Sequence, residues 1–361
     1  MILRQEKERG GIFISGGGRM NRGRYAASVT GAALFLILFL FSEDFSSGAA
    51  IGLYNCAQVI IPSLFPFMVA ASVLGEGELP PIIRRLVEPI TRSLFGQPAE
   101  SIVVILVGLF GGYPSGARAA ASLYSGGKLT EEQAKSLMLF CVNAGTGFCV
   151  NAVGISLMHS ADAGKIIFLS LCISAVIIGF FTKPKKDGAL PQSTEKPKPF
   201  SEIFVGGVAS GASGILTVCA FTTLFSGLLS VVSGMGISNV IPLACLLEVT
   251  SGCVSAAGKV PLPIIAGVCA FGGICVHMQI FSLAGKVKPV YLKFLFFRLL
   301  HAVVSGAVCS LLLRLFPIEM QTFLPVSDGA RLYSFSLPAA ISLLFFSSLL
   351  IFDLDKQRKI C

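Results

Sequence analysis

The sequence predicts an all-α polytopic membrane protein, with about eight transmembrane helices plus two re-entrant helical hairpins in inverted repeats. Three observations lead there. Of 361 residues, 54% are hydrophobic and only 13% charged, whereas a soluble domain carries about 25% charged residues. Mean hydropathy is +0.81, and apolar stretches of about 20 residues, long enough to cross a hydrocarbon core, recur along the whole length. Two of these stretches are broken midway by glycine and hydroxyl residues, GLFGGYPSGARAAASLY at 111–116 and ACLLEVTSGCVSAAG at 248–252. Backbone groups left unpaired at such breaks are tolerated in a bilayer only beside protein or a wet cavity.

The elements follow in order. Residues 1–24 are polar, glycine-rich and basic, as a cytoplasmic tail would be, and Met20 offers a second start. The run 25–42 exceeds the 7–15 apolar residues of a signal peptide and lacks a small-residue cleavage site, so it reads as a retained anchor helix. Further apolar segments lie at 49–75, 101–125, 134–158, 163–182, 201–231, 238–257, 262–284, 290–316 and 334–352. Between the fifth and sixth segments, residues 183–200 hold five lysines and four prolines, the composition of a flexible linker between halves. Residues 353–361 form a second basic tail.

Charge then decides the topology. The basic N-terminus, the lysine-rich linker and the C-terminal DKQRK should all be cytoplasmic. Ten simple crossings place the linker outside. If 101–125 enters and leaves on one side, turning at GGYPSG, the linker returns to the cytoplasm. Arg84, Arg85, Arg92, Arg118 and Lys128 then fall on or near that side. A second hairpin at 238–257 likewise places Lys286 and Lys288 inside and the poorly basic stretch 317–333 outside. The order helix, hairpin, helix, helix thus occurs at 49–182 and, starting from the opposite face, at 201–316. Transporters built this way bind substrate near the midplane, where the interrupted segments meet. An ordinary kinked helix is the competing reading of the first break.

The tips hold the candidate binding residues. Gly112 and Gly116 allow close backbone approach, Pro114 stops the incoming helix, and Ser115 is positioned to cap a returning helix from Gly116 onward. Tyr113 lies between them. The helix start offers free N–H groups and a positive dipole end to an anion. Arg118 adds a full charge, either facing the tip or snorkelling to the headgroups. Glu248 is the only acidic residue in 204–314 and adjoins Thr250, Ser251 and Gly252. It is suited to carry a proton, bind a cation, balance Arg118 or lock two helices by a salt bridge. Asn143 in VNAGTGF, and His277 with Gln279 in VHMQ, occupy equivalent places after each hairpin. Such polar groups either face the site or join helices. Arg298 and His301 are candidates to line a path, and Arg314 to meet headgroups.

Other features are ordinary. Most of the eleven cysteines lie in apolar segments without a CxxC pair, which is the pattern of small buried hydrophobes rather than of disulfides or metal ligands. No metal site, no catalytic constellation and no nucleotide-binding loop is expected, and the net charge of +9 reflects tails and loops rather than nucleic-acid binding. Thr130 and Gln133 spell a capping box. EGELPPIIRRLVEPITRSLFG reads as an amphipathic helix at the cytoplasmic interface, and Pro62 with Pro66 predicts an unwound stretch in the helix at 49–75.

The run GLFGGYPSGARAAASLYSGGKLTEEQAKSLMLFCVNAGTGFCVNAVG, with LLEVTSGC and FGGICVHMQ, resembles the YlbJ (SpoVV) sporulation integral membrane proteins from about residue 25 onward. The resemblance implies a nucleoside-recognition "Gate" domain, repeated over the two halves, and a role in endospore formation. It implies transport of dipicolinate, a small organic dianion, from the mother cell across the outer forespore membrane, with both termini cytoplasmic. Arg118 stands where the family's basic residue, usually lysine, is expected. Two opposed helix N-termini plus Arg118 suit two carboxylates. The coupling ion, H+ or Na+, is open, no cofactor is implied, and homo-oligomers or other sporulation membrane proteins are candidate partners besides the lipid bilayer. A nucleoside or related heterocycle carrier is the alternative within transport. A non-transporting assembly protein of the spore envelope is the alternative outside it.

Overall fold

The computed structural model describes residues 22–184, 190, 198–236 and 240–318, all of whose regular elements are helical. The expectations for the tail before residue 22, most of the linker, the helix at 334–352 and the tail at 353–361 lie outside the described residues.

Helix α1 (Arg22–Leu40) leaves Phe35, Phe39 and Leu40 exposed. Helix α2 (Ser42–Glu76) is 35 residues long. Pro62 and Pro66 do not unwind it, contrary to the sequence expectation. A π-helical turn at Cys56–Ile60 directly ahead of Pro62 accommodates the ring and its missing N–H. Helix α3 (Pro81–Phe95) ends at Gly96, in the left-handed region at φ 63°. It buries Thr91 and Phe95 while Ile82, Leu86 and Ile90 stay exposed at a spacing of one turn. That open apolar stripe is what the amphipathic reading predicts.

Helix α4 (Ser101–Gly111) finishes in a π turn, Gly112 reverses the chain at φ 107°, and α5 (Tyr113–Ser125) returns beside it. The arms touch: a Cβ on Gly116 would lie 2.8 Å from Gly108 Cα. Helix α6 (Glu131–Met138) starts at the predicted capping box, with Gln133 N–H donating to Thr130 Oγ1 at 3.3 Å and Thr130 N–H to Gln133 Oε1 at 2.9 Å. A continuous helix over 134–158 does not form. Residues 139–146 are largely non-helical, α7 (Gly147–Leu157) is π-helical, and α8 (Ala161–Phe181) follows. The cause is close approach: a Cβ on Gly145 would stand 2.7 Å from Phe110 O and 2.9 Å from Gly111 C, so the chain opens against the first hairpin tip.

The second half repeats this order. Helix α9 (Phe200–Gly234) precedes α10 (Ile241–Leu247) and α11 (Val249–Ala256), which meet at an extended Glu248. A Cβ on Gly252 would reach Cys245 Cα at 2.7 Å, so these arms also fold back on each other. Helices α12 (Leu262–Phe271) and α13 (Gly273–Leu283) are separated by Gly272 and Gly273, both at positive φ. The expected helix at 262–284 is thus also broken. Helix α14 (Tyr291–Leu315) closes the described chain.

Helices α2 and α9 run antiparallel with their glycines in contact. A Cβ on Gly52 would lie 2.9 Å from Thr223 Cα, and one on Gly211 2.9 Å from Val69 Cγ2. Small residues permit such close backbone approach between membrane helices. One apolar core joins α4 through α8 with α11 through α14, and a smaller one (Cys56, Ile60, Met68, Ile215, Val218) fills the α2–α9 contact. Of the eight expected crossings, that at 334–352 lies outside the described residues, and among those residues five stretches are long and apolar enough to span a membrane: Ser42–Glu76, Ala161–Phe181, Phe200–Gly234, Leu262–Leu283 and Tyr291–Leu315. The apolar part of α1, Tyr25–Leu40, is shorter.

Candidate functional site

Four interruptions converge on one cavity. The first hairpin contributes Gly112, Tyr113 and Pro114, and the opening at 139–146 contributes Gly145. The second hairpin contributes Glu248, Val249 and Thr250, and α13, just past the glycine break, contributes Val276 and Gln279. Ile60, Ser63 and Leu64 of α2, Phe148 of α7, and Val218 and Thr222 of α9 complete the wall. The space open to a water-sized sphere is about 40 Å³, against about 10–15 Å³ for one water. That volume is room for a few waters.

Side chains take over the backbone bonds lost at the breaks. The last three carbonyls of α12 each accept from a different residue. Tyr113 Oη–H donates to Cys269 O, Arg298 Nη1 to Ala270 O at 3.5 Å, and His277 Nε2 lies 3.1 Å from Phe271 O. On the other break, Arg298 donates to Leu139 O at 2.7 Å and also to Val142 O, while Asn143 Nδ2 donates to Phe140 O at 3.0 Å. Arg298 is only 1% exposed. Its charge is met by carbonyls at two helix ends, where the dipoles are negative. Tyr113 ties the first tip to the same place.

Glu248 caps its own helix. Its carboxylate accepts from Thr250 N–H at 2.9 Å and Ser251 N–H at 2.7 Å. It is the one charged residue in the cavity wall. The N-terminus of α11 is therefore filled, and at α5 Pro114 carries no N–H while Ser115 N–H donates to Gly112 O at 3.2 Å, so neither helix start is the open set of donors expected. The start of α5 also differs from expectation. Gly112 is its N-cap, and Ser115 lies inside the first turn with its hydroxyl buried and unpartnered.

Arg118 does not face Glu248. Its Nε donates to Ser72 Oγ at 3.2 Å and its Nη2 to Ser210 Oγ, on the α2–α9 side and outside the cavity wall. Of the predicted site residues, Gly112, Tyr113, Pro114, Glu248, Thr250 and Gln279 line the cavity. Gly116 and Gly252 pack the hairpin arms, Ser251 serves the cap, and Asn143 and His277 bind broken carbonyls. His277 is enclosed by Phe271, Tyr291 and Phe294. His301 is buried near Leu171 O. Sequence reasoning missed Ser63 and Thr222. Thr222 Oγ1 accepts from Gln279 Nε2 at 3.4 Å. The hydroxyls at Ser63 and Thr222, in otherwise apolar runs, are the signal that was there to use.

The chain is 24% identical over 330 residues to the sporulation integral membrane protein YlbJ of Bacillus subtilis (strain 168), covering 77% of this chain and 80% of that protein. No family model and no solved structure matches it. With the long apolar helices, this similarity supports an integral membrane protein.

Proposed function

Taking the chain as a member of the YlbJ family, the assignment its similarity supports, we propose that it is a sporulation membrane transporter. Its substrate in this reading is dipicolinate, carried across the outer forespore membrane and bound between two opposed hairpin tips. The observation that carries the reading is the single cavity walled by both hairpin tips and by the two later breaks. Interrupted helices at membrane depth are stable where they line a cavity, and paired ones mark the site of a secondary transporter.

The hairpins are re-entrant in this reading because their arms are short. Helices α10 and α11, with 7 and 8 residues, reach only about 10–12 Å at 1.5 Å per residue. A crossing needs about 30 Å. The repeated element order and the antiparallel α2 and α9 support inverted repeats of the Gate type, and the basic composition of both tails suits cytoplasmic termini. Dipicolinate would take the Tyr113 N–H at the start of α5, since Pro114 carries no N–H and Ser115 N–H donates to Gly112 O at 3.2 Å. Its second carboxylate would displace that of Glu248 from Thr250 and Ser251, since a ligand carboxylate can accept the same two bonds.

A second reading has its own support. The wall offers Ser63, Thr222, Thr250 and Gln279 with one acidic group and no cation, a set that also suits the hydroxyls of a nucleoside or related heterocycle. Uptake of labelled dipicolinate against uridine into proteoliposomes, with and without a pH or sodium gradient, decides between them. Dipicolinate flux is expected. Uridine flux alone would establish the second reading, and no flux of either would point to a non-transporting envelope protein.

A further inference from the structure

Arg118 is half-buried among membrane-spanning helices, and its partners are two serines. Among the described residues no acidic side chain forms an ion pair with it. A charge taken partly out of water is costly unless it meets an opposite one or well-placed polar groups. Five N–H donors sit on a guanidinium, and two of its nitrogens, Nε and Nη2, are engaged by hydroxyls. The third nitrogen, Nη1, lies against the Gly214 backbone of α9, where the lack of a side chain leaves room for it.

The location gives this group a role. Helices α2, α5 and α9 form one seam. At one level of it Leu64, Pro114 and Val218 line the cavity. One turn along α2, Met68 is fully buried, and its Sδ would lie 3.1 Å from a Cβ on Gly214. One turn further are Ser72, Ser210 and Arg118, with Ser72 Oγ 3.4 Å from Ser210 Oγ. Beyond them the C-terminal carbonyls of α2 at Gly75 and Glu76 accept from Lys128 Nζ at 2.8 and 3.1 Å. Two turns of helix separate cavity from arginine, about 12 Å at 1.5 Å per residue. A thioether, flexible about three bonds, stands between them.

The geometry points to a second anion subsite at Arg118, Ser72 and Ser210, closed from the cavity by Met68. A carboxylate ligand pauses there on its way between the cavity and the Lys128 end of the seam. The guanidinium takes the carboxylate as a two-pronged donor, and the serine hydroxyls turn to donate as well. Rotation of the Met68 side chain opens the connection. This rests on the transport reading given above and adds the path and the ligand class, a carboxylate anion.

The test uses the full chain in proteoliposomes, with labelled dipicolinate measured both for flux and for equilibrium binding. Arg118→Gln is expected to lower flux about tenfold to a hundredfold, the scale of a lost charge-assisted contact, while binding in the cavity changes by less than about threefold. Arg118→Lys keeps the charge and should recover part of the flux. Unchanged flux in Arg118→Gln overturns the subsite, as does loss of binding in step with flux. Equal impairment of Arg118→Lys and Arg118→Gln overturns it too, because charge is then not what matters. Should Arg118→Gln fail to insert, the double variant Ser72→Ala, Ser210→Ala is read against the same outcomes. Wild-type protein that neither binds nor moves dipicolinate defeats the transport reading itself, and the subsite with it. Wild-type flux left intact by the variants defeats the subsite alone.

Discussion

Replacing Arg298 with methionine keeps much of the side-chain volume and removes every donor. In the native protein that guanidinium, 1% exposed, bonds to Leu139 O at 2.7 Å, to Val142 O, and more weakly to Ala270 O at 3.5 Å. Residues 139–146 cannot become helical to satisfy these carbonyls, because Gly145 sits against the backbone of the first tip. Two strong bonds to a charged donor are therefore lost, at about 1.5–3 kcal/mol each. Relief from burying the charge offsets some of that, leaving a net loss of roughly 2–5 kcal/mol. At about 2 °C per kcal/mol for a chain of this size, the midpoint of thermal unfolding should fall by at least about 4 °C. The assay is thermal unfolding of detergent-purified protein, with Arg298→Lys as the companion. A lysine reaches at most part of the carbonyl set and should lie between the two. An Arg298→Met midpoint equal to wild type would refute the claim that this residue holds the breaks together.

Other outcomes follow from the same geometry. Tyr113→Phe removes the donor to Cys269 O and should cost about 1–3 kcal/mol, the penalty for a buried carbonyl left unpaired. A variant as stable as wild type in thermal unfolding would contradict that. Gly112→Ala forces a side chain into φ 107° and brings a Cβ to 2.5 Å from Leu64 Cδ2. A loss of about 1–3 kcal/mol is expected from the backbone strain, together with reduced dipicolinate uptake, and full activity would count against a tight first tip. Glu248→Ala removes the cap of α11, worth about 0.5–2 kcal/mol. Glu248→Gln keeps one acceptor and should lose about half as much, so equal losses in thermal unfolding would show that the cap bonds do not contribute.

Much of the site was legible because it is written locally. GGYPSG and EVTSG stop helices through glycine, proline and hydroxyl chemistry, and both stops stand at the expected residues. The Thr130–Gln133 box and the stripe on α3 are local as well. What the sequence hid depends on contacts between distant segments. Gly145 opens the chain because Phe110 and Gly111 press on it, and the run FCVNAGTGF is apolar enough to read as helix. Arg298 lies 159 residues from Leu139 in sequence, so no spacing rule reveals the partnership. Arg118 stands the expected short distance past its tip, yet its direction is set by Ser72, Ser210 and the absent side chain of Gly214. Glu248 was singled out by its isolation in an apolar region. Its role as a cap became visible only with the extended backbone at that residue.

The two longest helices have a further consequence. At 35 residues, α2 and α9 each measure about 52 Å, and hydrocarbon about 30 Å thick would enclose such a rod only at a tilt near 55°. Observed tilts stop at about 40°, so in a bilayer more than two turns of each must stand clear of the lipid tails. Their ends are equipped for that mismatch with opposite characters. Glu43 and Asp44 open α2, and Asp44 lies beside Gly234 at the far end of α9. At the other pole Lys198 pairs with Glu76 at 3.1 Å, and Lys128 covers the last carbonyls of α2. The pair is thus a rod with an acidic pole and a lysine-bearing one, long enough for both poles to remain in contact with water.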